Sequence, residues 1–135
     1  PSARITSVEG NERATEHAGE NLAEWVGARA ETARVDRWTR ALRQTISERD
    51  RERLARGTVV LDPPRTGAGA AVVDDLAALG PASIVYVACD PVALARDLSR
   101  FAGHGYRTGR VRGIDLFPHS HHMEAVALLG RDAAR

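Results

Sequence analysis

The chain's single cysteine, Cys89, ends the apolar run Ile84-Val85-Tyr86-Val87-Ala88 and is followed by Asp90-Pro91. A run rich in β-branched residues and tyrosine reads as a buried strand. Asp90 suits a helix N-cap, and Pro91 suits the first helical position. The thiol therefore falls at a strand's carboxyl end beside a helix N-terminus. Open α/β sheets bind ligands at that edge, and a helix start favours an anion such as a thiolate. This is the setting of a nucleophile. A lone cysteine also fits as a small buried hydrophobe, and position and composition leave both readings open. The helix start would assist the thiolate, and Asp90 would oppose it unless its carboxylate is engaged in capping.

Three other groups could do chemistry. Asp62-Pro63-Pro64-Arg65 follows the strand-like Thr58-Val59-Val60-Leu61; two prolines stiffen the backbone there, and the aspartate lies at the ligand-binding edge unless the segment is only a turn. Glu124 opens the apolar Ala125-Val126-Ala127-Leu128-Leu129, where a charge is out of place unless paired or functional. Glu9 ends the first strand-like segment. In doubly wound nucleotide folds an acid there bonds ribose hydroxyls, roughly 20 residues after a glycine-rich loop; a plain surface acid is the alternative. Counting back from Glu9 runs off the start of the chain, so that loop and the strand before it are expected to be missing. Thr66-Gly67-Ala68-Gly69 lacks the third glycine and lysine of a phosphate loop and reads as a turn. His119, His121 and His122 have no cysteine or acid at a recurring ligand spacing, so substrate contact or loop packing accounts for them better than a metal.

The elements that must position these groups follow from periodicity. Residues 5–8 form a strand. Ala14, Ala18, Leu22, Trp25 and Val26 recur at helical spacing over residues 12–29, and residues 33–35 form a short strand. Trp38, Leu42 and Ile46 mark a second helix running through the charged residues 48–53, a solvated face. After the strand at 58–61, Val72, Val73, Leu76 and Leu79 make a third helix stopped by Gly80-Pro81. The cysteine strand leads into a helix with Leu94, Leu98 and Phe101 on one face. Residues 107–117 and 123–129 are two last strands, too close together for a helical crossover and so antiparallel neighbours. Alternating strands and helices imply an α/β fold, a mostly parallel sheet with helices on both faces and an antiparallel last strand.

At 135 residues and net charge +1 the chain is one domain with room for a core. All 19 basic residues are arginine. Arginine makes forked phosphate contacts and stacks on bases, which suits RNA, although coding bias in an alanine-rich chain gives the same composition. One cysteine excludes an internal disulfide or a cysteine cluster within the chain. No long apolar stretch or signal peptide occurs, which points to a cytoplasmic protein without a membrane partner. The chain opens on Pro1 and its only methionine is Met123, which reads as a fragment.

Taken together, Leu61-Asp62-Pro63-Pro64-Arg65-Thr66-Gly67, Tyr86-Val87-Ala88-Cys89-Asp90-Pro91 with Arg96-Asp97 following, and residues 115–126 from Asp115-Leu116-Phe117-Pro118 to Glu124-Ala125-Val126 resemble the carboxyl-terminal catalytic region of the RNA uracil-5-methyltransferases. Ala88 and Asp90 stand where that family more often has serine and asparagine, and its glycine-rich loop, amino-terminal RNA-binding portion and iron–sulfur cysteines are absent. The resemblance implies a Rossmann-like S-adenosylmethionine-dependent methyltransferase fold lacking its first strand, which would lie between the strands at 5–8 and 58–61. It implies methylation of uracil carbon 5 in tRNA or rRNA through a covalent cysteine adduct at carbon 6. Cys89 would be the nucleophile and Glu124 the general base. Glu9 would hold the ribose of S-adenosylmethionine, with Asp62 beside its reacting end. Pro63, Pro64, Arg65, Pro91 and His122 would shape the substrate site.

Two other readings compete. An exocyclic-amine methyltransferase of the N6-adenine type uses Asp-Pro-Pro followed by an aromatic residue, where this chain has Arg65. An inactive catalytic fragment with residual RNA affinity is the non-enzyme reading. The unpaired strand edges of an incomplete sheet also predict either self-association or a rearranged sheet.

Overall fold

A computed structural model describes residues 4–116, 119 and 123–131. The chain divides into two compact units, the first ending at Gln44 and the second starting at Thr45.

In the first unit β1 (Ile5–Glu9) runs parallel to β2 (Ala28–Thr32), joined by α1 (Glu12–Leu22). Asn11 caps α1 by accepting from the Ala14 amide. The helix is shorter than the apolar spacing predicts. Trp25 and Val26 lie exposed in a turn, where the Trp25 amide donates to the Leu22 carbonyl and the Ala28 amide to the Trp25 carbonyl. The following strand accordingly starts at Ala28, not at residue 33, and Val35 instead opens α2 (Val35–Thr45). Alanine-rich Ala28–Thr32 has little intrinsic strand preference; pairing with β1 makes it a strand.

The second unit holds α3 (Glu48–Leu54), β3 (Thr58–Leu61), α4 (Ala70–Leu79), β4 (Ser83–Ala88), α5 (Pro91–Gly103), β5 (Tyr106–Ile114) and β6 (Glu124–Arg131). The single helix expected through residue 53 is broken before Ser47, whose hydroxyl accepts from the Asp50 amide and starts α3 afresh. Gly80 ends α4 in the left-handed conformation, at φ 75°. The sheet order is β3-β4-β6-β5; β3 and β4 are parallel, while β6 is antiparallel to both β4 and β5.

Alternation along β4 puts Ile84, Tyr86 and Ala88 on one face, packed with Ala127 and Leu129 of β6 beneath α4 and α5. Fully buried Phe101 meets Tyr106 edge-on at 5.6 Å between ring centroids, an arrangement worth about 0.5–1.5 kcal/mol beyond area burial. On the opposite face Val60 and Leu128 are exposed. Among the described residues the strands of this α/β fold pair as two sheets, and the four-stranded one buries the face beneath α4 and α5. Among the described residues β1 pairs only with β2, and β3 only with β4.

Candidate active site

Strand direction brings three candidate segments to one edge of the four-stranded sheet. Parallel β3 and β4 end there, delivering Asp62 and Cys89, and antiparallel β6 begins there, with Glu124 as its first residue. The β4–β6 register pairs Tyr86 with Ala127, Val87 with Val126 and Ala88 with Ala125. That pair is the last of the ladder: Cys89 follows just beyond the end of β4, and Glu124, the residue before Ala125, pairs with Ile114 of β5.

Cys89 is half-buried and free. It lines a shallow notch with no room for a water molecule, together with Pro63, Pro64, Arg65, Gly67, Tyr86 and Asp90. Asp90 caps α5, its Oδ1 accepting from the Ala93 amide at 2.7 Å, with Pro91 at the helix start. The carboxylate that could have opposed a thiolate is thus committed to the helix end, as the Asp-Pro pair predicts.

Asp62 is exposed at the end of β3, and Glu124 is half-buried. Glu9 ends β1 in the first unit; its Oε1 accepts from the Asn11 amide at 2.8 Å, fixing the carboxylate at that strand's carboxyl end. His122, with Phe117, Pro118, Ser120 and His121 of the same motif, lies outside the described residues.

Sequence reasoning missed the group that holds the loop beside the sulfur. Asp97 of α5, 1% exposed, accepts through Oδ2 from the Tyr86 hydroxyl at 2.6 Å and the Ala68 amide at 2.8 Å. Its Oδ1 accepts from Arg96 Nε and Nη2, and the same Nη2 donates to the Thr66 carbonyl at 2.6 Å. Burial alone would raise the Asp97 carboxyl; the bonds from Tyr86, Ala68 and Arg96 outweigh it and hold the group below the usual carboxylate range. Burial, reinforced by Asp97, pushes the Tyr86 phenol well above its ordinary value. A signal was available, because Asp97 sits within the apolar stripe of Leu94, Leu98 and Phe101. The Thr66–Gly69 segment is a turn, and its Ala68 amide binds this internal carboxylate.

Among the described residues no helix is long and apolar enough to cross a membrane. The family model described as tRNA (Uracil-5-)-methyltransferase matches residues 31–132. Two curated relatives described as uncharacterized RNA methyltransferases are similar over nearly all of the chain. That of Streptomyces avermitilis is 44% identical, covering 93% of the chain and 27% of the relative. That of Bifidobacterium longum is 40% identical, covering 95% and 28%. The chain thus spans about a quarter of the length of the curated relatives it matches. Among solved structures, the Pyrococcus abyssi tRNA (uracil-54, C5)-methyltransferase in complex with S-adenosyl-L-homocysteine superposes with TM-score 0.70 at 32% identity, covering 93% of this chain and 28% of that one. Aeropyrum pernix fibrillarin with bound S-adenosyl-L-methionine, at TM-score 0.62 and 15% identity over 93% of this chain and 56% of that one, shares the fold alone. The strand-edge geometry, the Rossmann-like methyltransferase fold of these neighbours and the match across residues 31–132 lead to one conclusion: the chain belongs to the tRNA (uracil-5-)-methyltransferase family.

Proposed function

We propose that this chain is the catalytic region of an S-adenosylmethionine-dependent RNA methyltransferase acting on carbon 5 of uracil, in tRNA or rRNA, through a covalent Cys89 intermediate. The observation that supports the reading is the shared sheet edge: β3 ends before Asp62, β4 ends before Cys89, and antiparallel β6 begins with Glu124.

Carbon 5 of uracil is a weak nucleophile. Attack of the Cys89 thiolate on carbon 6 forms a C–S bond and moves the ring's electron pair into an enolate, making carbon 5 nucleophilic. Bound S-adenosylmethionine would supply an electrophilic methyl group for that carbon, its sulfonium being left as the neutral thioether S-adenosylhomocysteine. Glu124 then takes the carbon 5 proton, the 5,6 double bond re-forms, and the C–S bond breaks to return the thiolate. Covalent catalysis divides one hard step into easier ones, and the target base must leave its stack to reach the sulfur. Glu9 would hold the cofactor's ribose: its exposed carboxylate is fixed at a strand's carboxyl end by the Asn11 amide, a setting suited to a ribose diol. Asp62 would lie beside the cofactor's reacting end, while Pro63, Pro64, Arg65, Pro91 and His122 would shape the uracil site.

Nucleoside analysis of RNA treated with the full-length protein and S-adenosylmethionine tests the reading. The expected product is 5-methyluridine. Finding N6-methyladenine in its place would transfer the site to exocyclic-amine chemistry.

A further inference from the structure

Asp97 has no bond to the proposed reacting groups, yet it joins β4, α5 and the loop after β3. Tyr86 lies three residues before Cys89 on β4, and α5 begins just beyond it. The loop that lines the notch through Pro63, Pro64, Arg65 and Gly67 is tied to α5 at Ala68 through Asp97 and at Thr66 through Arg96. The Ala68 amide also donates to the Tyr86 hydroxyl at 3.0 Å. Gly67 turns under this network at φ +80°, where an added Cβ would lie 2.5 Å from Arg96 Nη2 and 2.6 Å from Asp97 Oδ2.

We infer that Asp97 is a positioning residue for the reaction, its carboxylate clasping the loop of residues 63–69 against β4 and α5 so that the wall of the uracil site stands at a fixed distance from Cys89. The inference rests on the proposed role of Cys89. The clasp needs a carboxylate specifically. Both oxygens accept, one from the loop and Tyr86 and the other from Arg96, so an amide in the same place must turn its NH₂ toward a donor on one side or the other. Either the loop or Arg96 is then released. A displacement of about 1 Å in a reacting group's surroundings can cost on the order of 10²-fold in rate.

The test measures covalent adduct formation between the full-length protein and 5-fluorouridine RNA in the presence of S-adenosylmethionine, for wild type, Asp97→Asn and Tyr86→Phe. Hydrogen exchange at the Ala68 amide and RNA affinity are read in parallel. Asp97→Asn is expected to slow adduct formation by about 10²-fold, with RNA affinity unchanged and Ala68 exchange accelerated. Tyr86→Phe keeps the ring and loses only the hydroxyl, so it should fold, with a smaller loss of rate in the same step. Wild-type adduct rates in folded Tyr86→Phe overturn the inference whatever Asp97→Asn does, as do wild-type rates in folded Asp97→Asn. Absence of any adduct in the wild type would instead remove the covalent reading of Cys89 on which the inference stands, while Ala68 exchange would still report whether the clasp exists.

Discussion

Replacing Glu124 by Gln separates the two halves of the proposed reaction. Glu124 is half-buried at the first position of β6, and glutamine has nearly its shape, so the fold and the Cys89 side of the site should survive. The amide cannot accept the carbon 5 proton. Loss of a general base costs about 10²–10⁴-fold, and at about 1.36 kcal/mol per tenfold this adds roughly 2.7–5.5 kcal/mol to the barrier. Because the proposed Cys89 attack precedes loss of that proton, the defect should fall after adduct formation. Full-length Glu124→Gln, given ordinary uridine RNA and methyl-labelled cofactor, should accumulate a labelled protein–RNA species stable in denaturing electrophoresis while releasing product slowly. Normal turnover would refute the role, and slow turnover without a trapped adduct would refute the order of steps.

Three further outcomes follow. Gly67→Ala places a side chain where φ is +80° and two polar atoms stand within 2.6 Å; strain of about 1–3 kcal/mol should appear as a lowered melting temperature, and an unchanged one would contradict the tight turn. Asp74 binds Arg100 through two hydrogen bonds and lies 2.8 Å from His104 Nε2; the bond from Arg100 and then that from His104 hold its carboxyl well below 3.8. Its contribution is full above that value and is lost as pH falls below it, so Asp74→Asn should flatten the acid limb of a melting-temperature profile, and an unaltered acid limb would count against the pair. The 135-residue chain by itself should self-associate through the unpaired edges of β1 and β3, and a monomeric mass by light scattering would contradict this.

Where local chemistry and tertiary packing agree, the residues were readable. Asp90-Pro91 announces a helix start and the structure has the cap; Ile84 to Ala88 alternates into a buried strand whose end carries the sulfur. The two last strands were legible as an antiparallel pair from their short separation, and their pairing is antiparallel. Periodicity failed in the first unit because Trp25 and Val26 continue a helical spacing without being buried, and because Ala28–Thr32 becomes a strand only through its partner. At the site, Cys89, Asp62 and Glu124 were visible as residue types at strand ends. Their common edge depended on β6 inserting between β4 and β5. The Asp97 network was hidden for a similar reason: its partners come from residues 29 and 11 positions away, distances over which sequence spacing carries no geometry.

The central claim is that the Cys89 sulfur bonds to the pyrimidine. Intact-mass spectrometry of the full-length protein incubated with 5-fluorouridine RNA and S-adenosylmethionine tests it directly, since fluorine at carbon 5 leaves no proton to remove and holds the complex at the adduct. One RNA adduct is expected, mapped to the peptide containing Cys89 and absent in Cys89→Ala, which should also lose turnover. A Cys89→Ala protein that still forms the adduct, or still methylates uridine at the wild-type rate, would contradict it.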